Sequence, residues 1–333
     1  MRDLRLWLGT AVTVACLVLL FRGVDLEAVR AAVRAAQPAW LLVASPLFGA
    51  SIWVRAMRWR AIVRPIVPLS RGDAAALVVI GYAANNLLPA RTGELVRAVL
   101  LRRRHGASAM AGLGTIIVER VFDGLMLALM LAGTLALAGG TNLLRGVAVI
   151  AGIGFLGIAL MLVLLALRPT FAWRVIDLVL LPLPTALRLR VRSLVERFLE
   201  GLALLRDARA WGFVVGASVT GWLLEAAAYW AIGQAFGLPL APLLYLGVCG
   251  AANLAIALPS TSGGIGPYEI LAKEVVVHFG VSATVGAVYA FALHMFVLIP
   301  VSVVGVLLLW RRHLGLGALT RTALAPDARV SAP

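Results

Sequence analysis

"NNLLPARTGELVRAVLLRRR", residues 85–104, interrupts a strongly apolar sequence with two amides, a proline, a glycine, an acid and a run of arginines. The apolar stretch before it, 74–88, is too short to cross a bilayer comfortably. A break of this kind at membrane depth is tolerated only where protein buries it or where it lines a water-filled cavity. The fold therefore turns on whether residues 74–104 cross the membrane or enter it and return.

The composition leaves little doubt about the solvent. Of 333 residues, 62% are hydrophobic and 14% charged, and mean hydropathy is +0.98. A soluble domain cannot bury that much apolar surface. Apolar stretches fall at about 6–21, 39–54, 74–88, 111–138, 144–167, 211–236, 240–258 and 282–310. The net charge of +15 is almost all arginine, Lys273 being the lone lysine. No basic recognition helix or aromatic-basic sheet motif accompanies it, so it reads as positive-inside bias rather than nucleic-acid binding. Cys16 and Cys249 lie in apolar runs and suit neither a disulfide nor a metal site. The N-terminal stretch lacks a convincing cleavage site and reads as an uncleaved first span.

Charge placement decides the topology. If all eight stretches crossed, Arg91, Arg97, Arg102, Arg103 and Arg104 would lie opposite Arg55, Arg58, Arg60, Arg64 and Arg71. A hairpin over 74–104 entered from the cytoplasm, and another over 240–280 entered from outside, remove that conflict. They leave Arg22, Arg30, Arg34, Arg145 and Lys273 outside, Arg120 within a span, and every other basic residue inside. The expected fold is an all-α polytopic membrane protein of about six full spans plus two re-entrant helical hairpins in an inverted repeat. The repeats cover about 1–140 and 141–313, with a cytoplasmic amphipathic segment at about 170–209 and a disordered tail at 314–333. Within that segment Val191, Leu194, Val195, Phe198 and Leu202 share a helical face. Both termini are expected on the cytoplasmic side of the cell (inner) membrane. "AANNLLPARTGE" and "AANLAIALPSTSGG" support the repeat: each has Ala-Ala-Asn, Leu-Pro, and glycine four residues after the proline.

The breaks define candidate site residues. Asn85, Asn86, Pro89, Arg91, Gly93, Glu94 and Arg97 suit a lipid head group or phosphate. A helix started by Thr92 or Gly93 presents N–H groups to an anion, and arginine grips phosphate bidentately. The second break offers Asn253, Pro259, Ser260, Thr261, Ser262, Gly263, Gly264, Gly266, Tyr268 and Glu269, a set rich in hydroxyls and bare backbone. Glu119, Arg120 and Asp123 form an intramembrane charge cluster, either a self-neutralising structural set, a counter-charge set for Arg91 or Arg97, or a proton relay. Glu225 and His294 are isolated titratable residues in spans, open to a structural or a proton-coupling role. No metal site, cofactor site, nucleotide-binding loop or hydrolase motif is present, so no cofactor and no enzymatic activity are expected.

These motifs, "NNLLPARTGELVRAVLLRRR", "ERVFDGL" and "LPSTSGGIGPYE", resemble the lysylphosphatidylglycerol synthase transmembrane-region family of flippase-like membrane proteins. The family pattern falls on Asn86, Pro89, Gly93, Glu94 and Arg97, then Glu119, Arg120 and Asp123, then Pro259, Gly263, Gly264, Gly266 and Glu269. The resemblance implies movement of a lipid or lipid-linked intermediate between leaflets. Bifunctional members add a soluble lysine-transferring domain. With only 314–333 beyond the last span, that domain and its activity are not expected here. Other members are tied to glycosyltransferase pathways, so the expected partners are a membrane lipid, including a polyprenyl phosphate, and a lipid synthase or glycosyltransferase. Two other readings stand beside transport: a non-transporting anchoring subunit, and a lipid-phosphate-modifying enzyme using Glu94, Glu119 or Asp123 as base.

Overall fold

The computed structural model describes residues 14–20, 25–88, 92–256 and 262–311. Their regular structure is helical: α1 (14–20), α2 (Leu26–Ala35), α3 (Leu41–Val63), α4 (Arg71–Leu87), α5 (Gly93–His105), α6 (Ala109–Ala138), α7 (Asn142–Leu167), α8 (Pro169–Leu180), α9 (Thr185–Glu200), α10 (Ala208–Ala235), α11 (Leu244–Ala255), α12 (Pro267–His278) and α13 (Ala283–Arg311). Local chemistry sets several starts. The hydroxyls of Ser70, Ser108 and Thr141 accept the N–H groups of Asp73, Ala111 and Leu144.

Five helical segments are long and apolar enough to cross a membrane: Pro38–Val63, Ala109–Ala138, Asn142–Leu167, Ala210–Ala235 and Ala283–Arg311. They match five of the six expected spans. The sixth, at 6–21, lies largely outside the described residues, as do the tail and Pro89, Arg91, Pro259, Ser260 and Thr261. One boundary differs from expectation. The stretch expected to end at 54 continues as helix to Val63, so Arg55 and Arg58 sit in α3 and are buried rather than forming a loop. The amphipathic segment is the helix pair α8 and α9, with a 3-10 turn at Ala203–Arg206.

α4 and α5 are short. At 1.5 Å per residue their 17 and 13 residues reach only about 25 and 20 Å. They pack as an antiparallel pair. A Cβ on Gly81 would lie 3.3 Å from Arg97 Cδ, so the start of α5 rests against α4 near its end. Leu69, before α4, and Ala107, after α5, share one buried cluster with Trp59 and Val63. The start of α4 lies beside the C-terminal end of α3, where Arg60 Nε donates to the Leu69 carbonyl. α11 and α12 pair likewise. Tyr245, near the start of α11, meets Tyr289 with ring centroids 6.3 Å apart, and a Cβ on Gly286 would touch Val276 and Val277 near the end of α12.

α13 orders the two pairs. Its N-terminal half packs on α12, and its C-terminal half on α4, where Gly305 abuts Ala83 and Val79. The principal packing is unchanged when the halves are exchanged. α3 lies on α10, while α4 on α13 answers α11 on α6. α7 is the peripheral span, with Ile150 75% and Ile153 70% exposed, a surface that suits lipid and not water.

Candidate functional site

The tip of the α4–α5 pair is closed by one side chain. Asn85 Oδ1 accepts the Gly93 N–H at 2.7 Å, and Asn85 Nδ2 donates to Glu94 Oε1 at 2.9 Å. The seam needs glycine, because a Cβ on Gly93 would strike the Gly81 carbonyl oxygen and the Asn85 amide. Beside it, Asn86 Nδ2 donates to Ser302 Oγ at 3.1 Å, tying the tip to α13.

The other tip is built on bare backbone. Gly263, Gly264 and Gly266 have φ of 78°, 77° and 107°, conformations that a side chain would strain. Glu269 Oε2 accepts the Gly266 N–H at 2.7 Å. Its Oε1 lies 2.8 Å from His294 Nδ1, and His294 Nε2 lies 3.0 Å from the Gly263 carbonyl. Both ring nitrogens thus face oxygen atoms, which fixes the ring between Glu269 and the Gly263 turn. Tyr268 stacks on His294 with centroids 4.1 Å apart. The two tips meet: a Cβ on Gly263 would lie 3.6 Å from the Asn86 carbonyl oxygen and 2.7 Å from Leu298 Cδ1, at the middle of α13.

A buried ionic network runs behind the tips. Arg97 of α5 is ion-paired with Glu119 of α6 and lies over Trp59, 4.0 Å from its ring. Arg58 reaches Asp123 at 2.8 Å and Glu119 at 3.4 Å, and donates to Ser218 Oγ at 2.9 Å. Arg120 bridges Glu119 and Asp123, each at 3.0 Å. Trp222 Nε1 donates to Asp123 at 2.9 Å. Trp222 also underlies Arg55, whose carbon lies 3.7 Å from the ring and which is ion-paired with Glu225. Glu225 accepts from Ser51 at 3.3 Å and from Tyr229 at 3.1 Å. Tyr229 in turn accepts from Asn253 at 3.0 Å and from Tyr268 at 2.6 Å. A chain of polar contacts, bridged at one point by the Trp222 indole, therefore joins the base of one tip to the other.

Such a path is costly unless complete. An unpaired charge at a helix centre costs about 2.5–3.5 kcal/mol on insertion scales, and pairing removes most of that. The structure brings Arg97, Glu119, Arg120 and Asp123 together and joins Glu225, Asn253 and Tyr268 in the same path. His294 and Glu269 form a separate pair at the second tip. Arg97 is ion-paired with Glu119, which ties α5 to α6. Tyr82, Asn85, Asn86, Thr92, Glu94, Arg120 and Asn253 remain partly exposed around the tips and can meet a polar group. Among the described residues no three His, Cys, Asp or Glu side chains converge as a metal would require.

Sequence reasoning missed Ser51, Arg55, Arg58, Trp59, Ser218 and Trp222. Arg55 and Arg58 were submerged in a basic run that resembles a loop. The available signal was the set of intramembrane acids, Glu119, Asp123 and Glu225, which require buried cations from another span.

Comparison with known proteins agrees with this architecture. A family model described as "Lysylphosphatidylglycerol synthase TM region" matches residues 6–305. A curated relative, "Glycosyltransferase AglD" of Haloferax volcanii, is 27% identical over 305 residues, covering 79% of this chain and 47% of its own length. The chain thus spans about half of that relative. Five candidate spans and the family match make this a multi-pass membrane protein.

Proposed function

The chain belongs to the lysylphosphatidylglycerol synthase transmembrane-region family, and we propose that it moves an anionic lipid, or a polyprenyl-phosphate-linked lipid, across the bilayer between two re-entrant hairpins. The α4–α5 and α11–α12 pairs are the hairpins, entered from opposite faces and related as inverted repeats. The basic ends of α3 and α5 face the cytoplasm of the cell membrane, with both termini on that side. The observation that carries this reading is the meeting of the two tips halfway along α13. A head group crossing there leaves its tails in lipid while polar groups replace its water. The closed tips correspond to an occluded state, and the Asn85 latch and the His294–Glu269 pair must loosen for passage. In this reading the chain performs no chemistry on the lipid.

The similarity to a protein named as a glycosyltransferase favours a second reading, a membrane subunit that serves such an enzyme without transporting. Purified protein in liposomes with head-group-labelled phosphatidylglycerol or polyprenyl phosphate distinguishes them, with a membrane-impermeant quencher reporting crossing. Wild type is expected to accelerate crossing well above empty liposomes. Wild-type liposomes that cross no faster than empty ones, with or without a proton gradient, would favour the subunit reading.

A further inference from the structure

A cleft of about 790 Å³ lies away from the tips, between the C-terminal end of α3, the segment joining α3 to α4, and the start of α10. That volume is within the roughly 300–1,000 Å³ range of small-molecule sites. Arg60, Arg64 and Arg71 line it, with Asp207 as the one acid, so its lining carries a net positive charge. All three arginines are exposed. Arg60 is fixed in place, because its Nε donates to the Leu69 carbonyl at 2.6 Å. The remaining walls include Trp53, Met57 and Phe213. Trp53 is 47% and Phe213 54% exposed, on helices long and apolar enough to span.

The polarity runs along one axis. Trp53 precedes Arg60 by two turns of α3, about 10 Å along the helix. The cleft is therefore basic at its outer end and apolar toward the membrane interior. A soluble anion would use the first part and leave the second against water or lipid. A lipid with an anionic head uses both, phosphate at the arginines and glycerol and upper chains against Trp53, Met57 and Phe213.

We propose that this cleft is a binding site for one anionic phospholipid from the leaflet at the basic end of the molecule, held by its phosphate at Arg60, Arg64 and Arg71. The site is separate from the tips and its occupancy does not depend on transport.

Native mass spectrometry of the full chain in detergent, titrated with phosphatidylglycerol or phosphatidylcholine, tests it. Wild type is expected to retain one tightly bound phosphatidylglycerol in clear preference to phosphatidylcholine. The double variant Arg64→Ala, Arg71→Ala is expected to bind it about thirtyfold more weakly, near the loss of two surface cations. Arg174→Ala with Arg190→Ala, equal in charge loss but outside the cleft, is expected to leave retention unchanged. Millimolar glycerol phosphate is expected not to displace the lipid, and displacement would mean a soluble-anion site instead. Equal retention by the cleft variant and wild type, or no preference over phosphatidylcholine, would overturn the assignment.

Discussion

At the residue scale, Arg58 carries the most consequence. It is fully buried and serves Glu119, Asp123 and Ser218 together, joining α3 to α6 and α10. Arg58→Ala leaves two carboxylates short of a partner, and breaking a buried pair in this way costs about 3–5 kcal/mol. The expected result is a clear fall in melting temperature in detergent. A control at Gly49, where an added methyl meets nothing within 4 Å, should not destabilise. An Arg58→Ala protein that melts with wild type would mean that the network is not structural. Arg55 and Arg58 also mark where sequence reading stopped short. Positive-inside bias and a buried ion pair place the same residue type at the end of the same apolar run, and only the facing acids separate the two.

At the element scale, the helical pairs were legible because their cause is local. Pro89 and Gly93 interrupt one apolar stretch, Pro259 and Gly263 the other, and the placement of the basic residues favours a hairpin over a straight crossing. The pairs α4–α5 and α11–α12 appear where those breaks fall. The contacts that close them were not legible. Asn85 bonding Gly93 and Glu94, or His294 reaching Gly263, joins residues whose approach depends on packing between helices. Re-entry itself is testable by cysteine labelling in a cysteine-free background. Gly72→Cys and Arg103→Cys, at the two outer ends of the first pair, should react with an impermeant reagent from the same face. Pro242→Cys and Ser282→Cys, flanking the second, should react from the opposite face. Labelling of Gly72→Cys and Arg103→Cys from opposite faces would make α4 and α5 a crossing instead of a hairpin.

At the scale of the whole molecule, the exchange-symmetric packing gives each tip the same support, a long helix from the other half. The tips meet at the middle of α13, and the ionic network ties α3, α5, α6 and α10 into a frame around them. The frame is held by buried charge pairs, whereas the two tips touch each other through backbone packing of Gly263 on Asn86. In the transport reading proposed above, the tips are the moving parts and must loosen from α13 and from each other for a lipid to pass. The most direct measurement is lipid crossing by an Asn86→Cys, Ser302→Cys protein, in which the cysteines replace two side chains that already meet at 3.1 Å and a disulfide would hold the first tip on α13, before and after disulfide formation. Reduced protein should move lipid, oxidised protein should not, and added reductant should restore movement. Undiminished crossing by the fully cross-linked protein would contradict the claim.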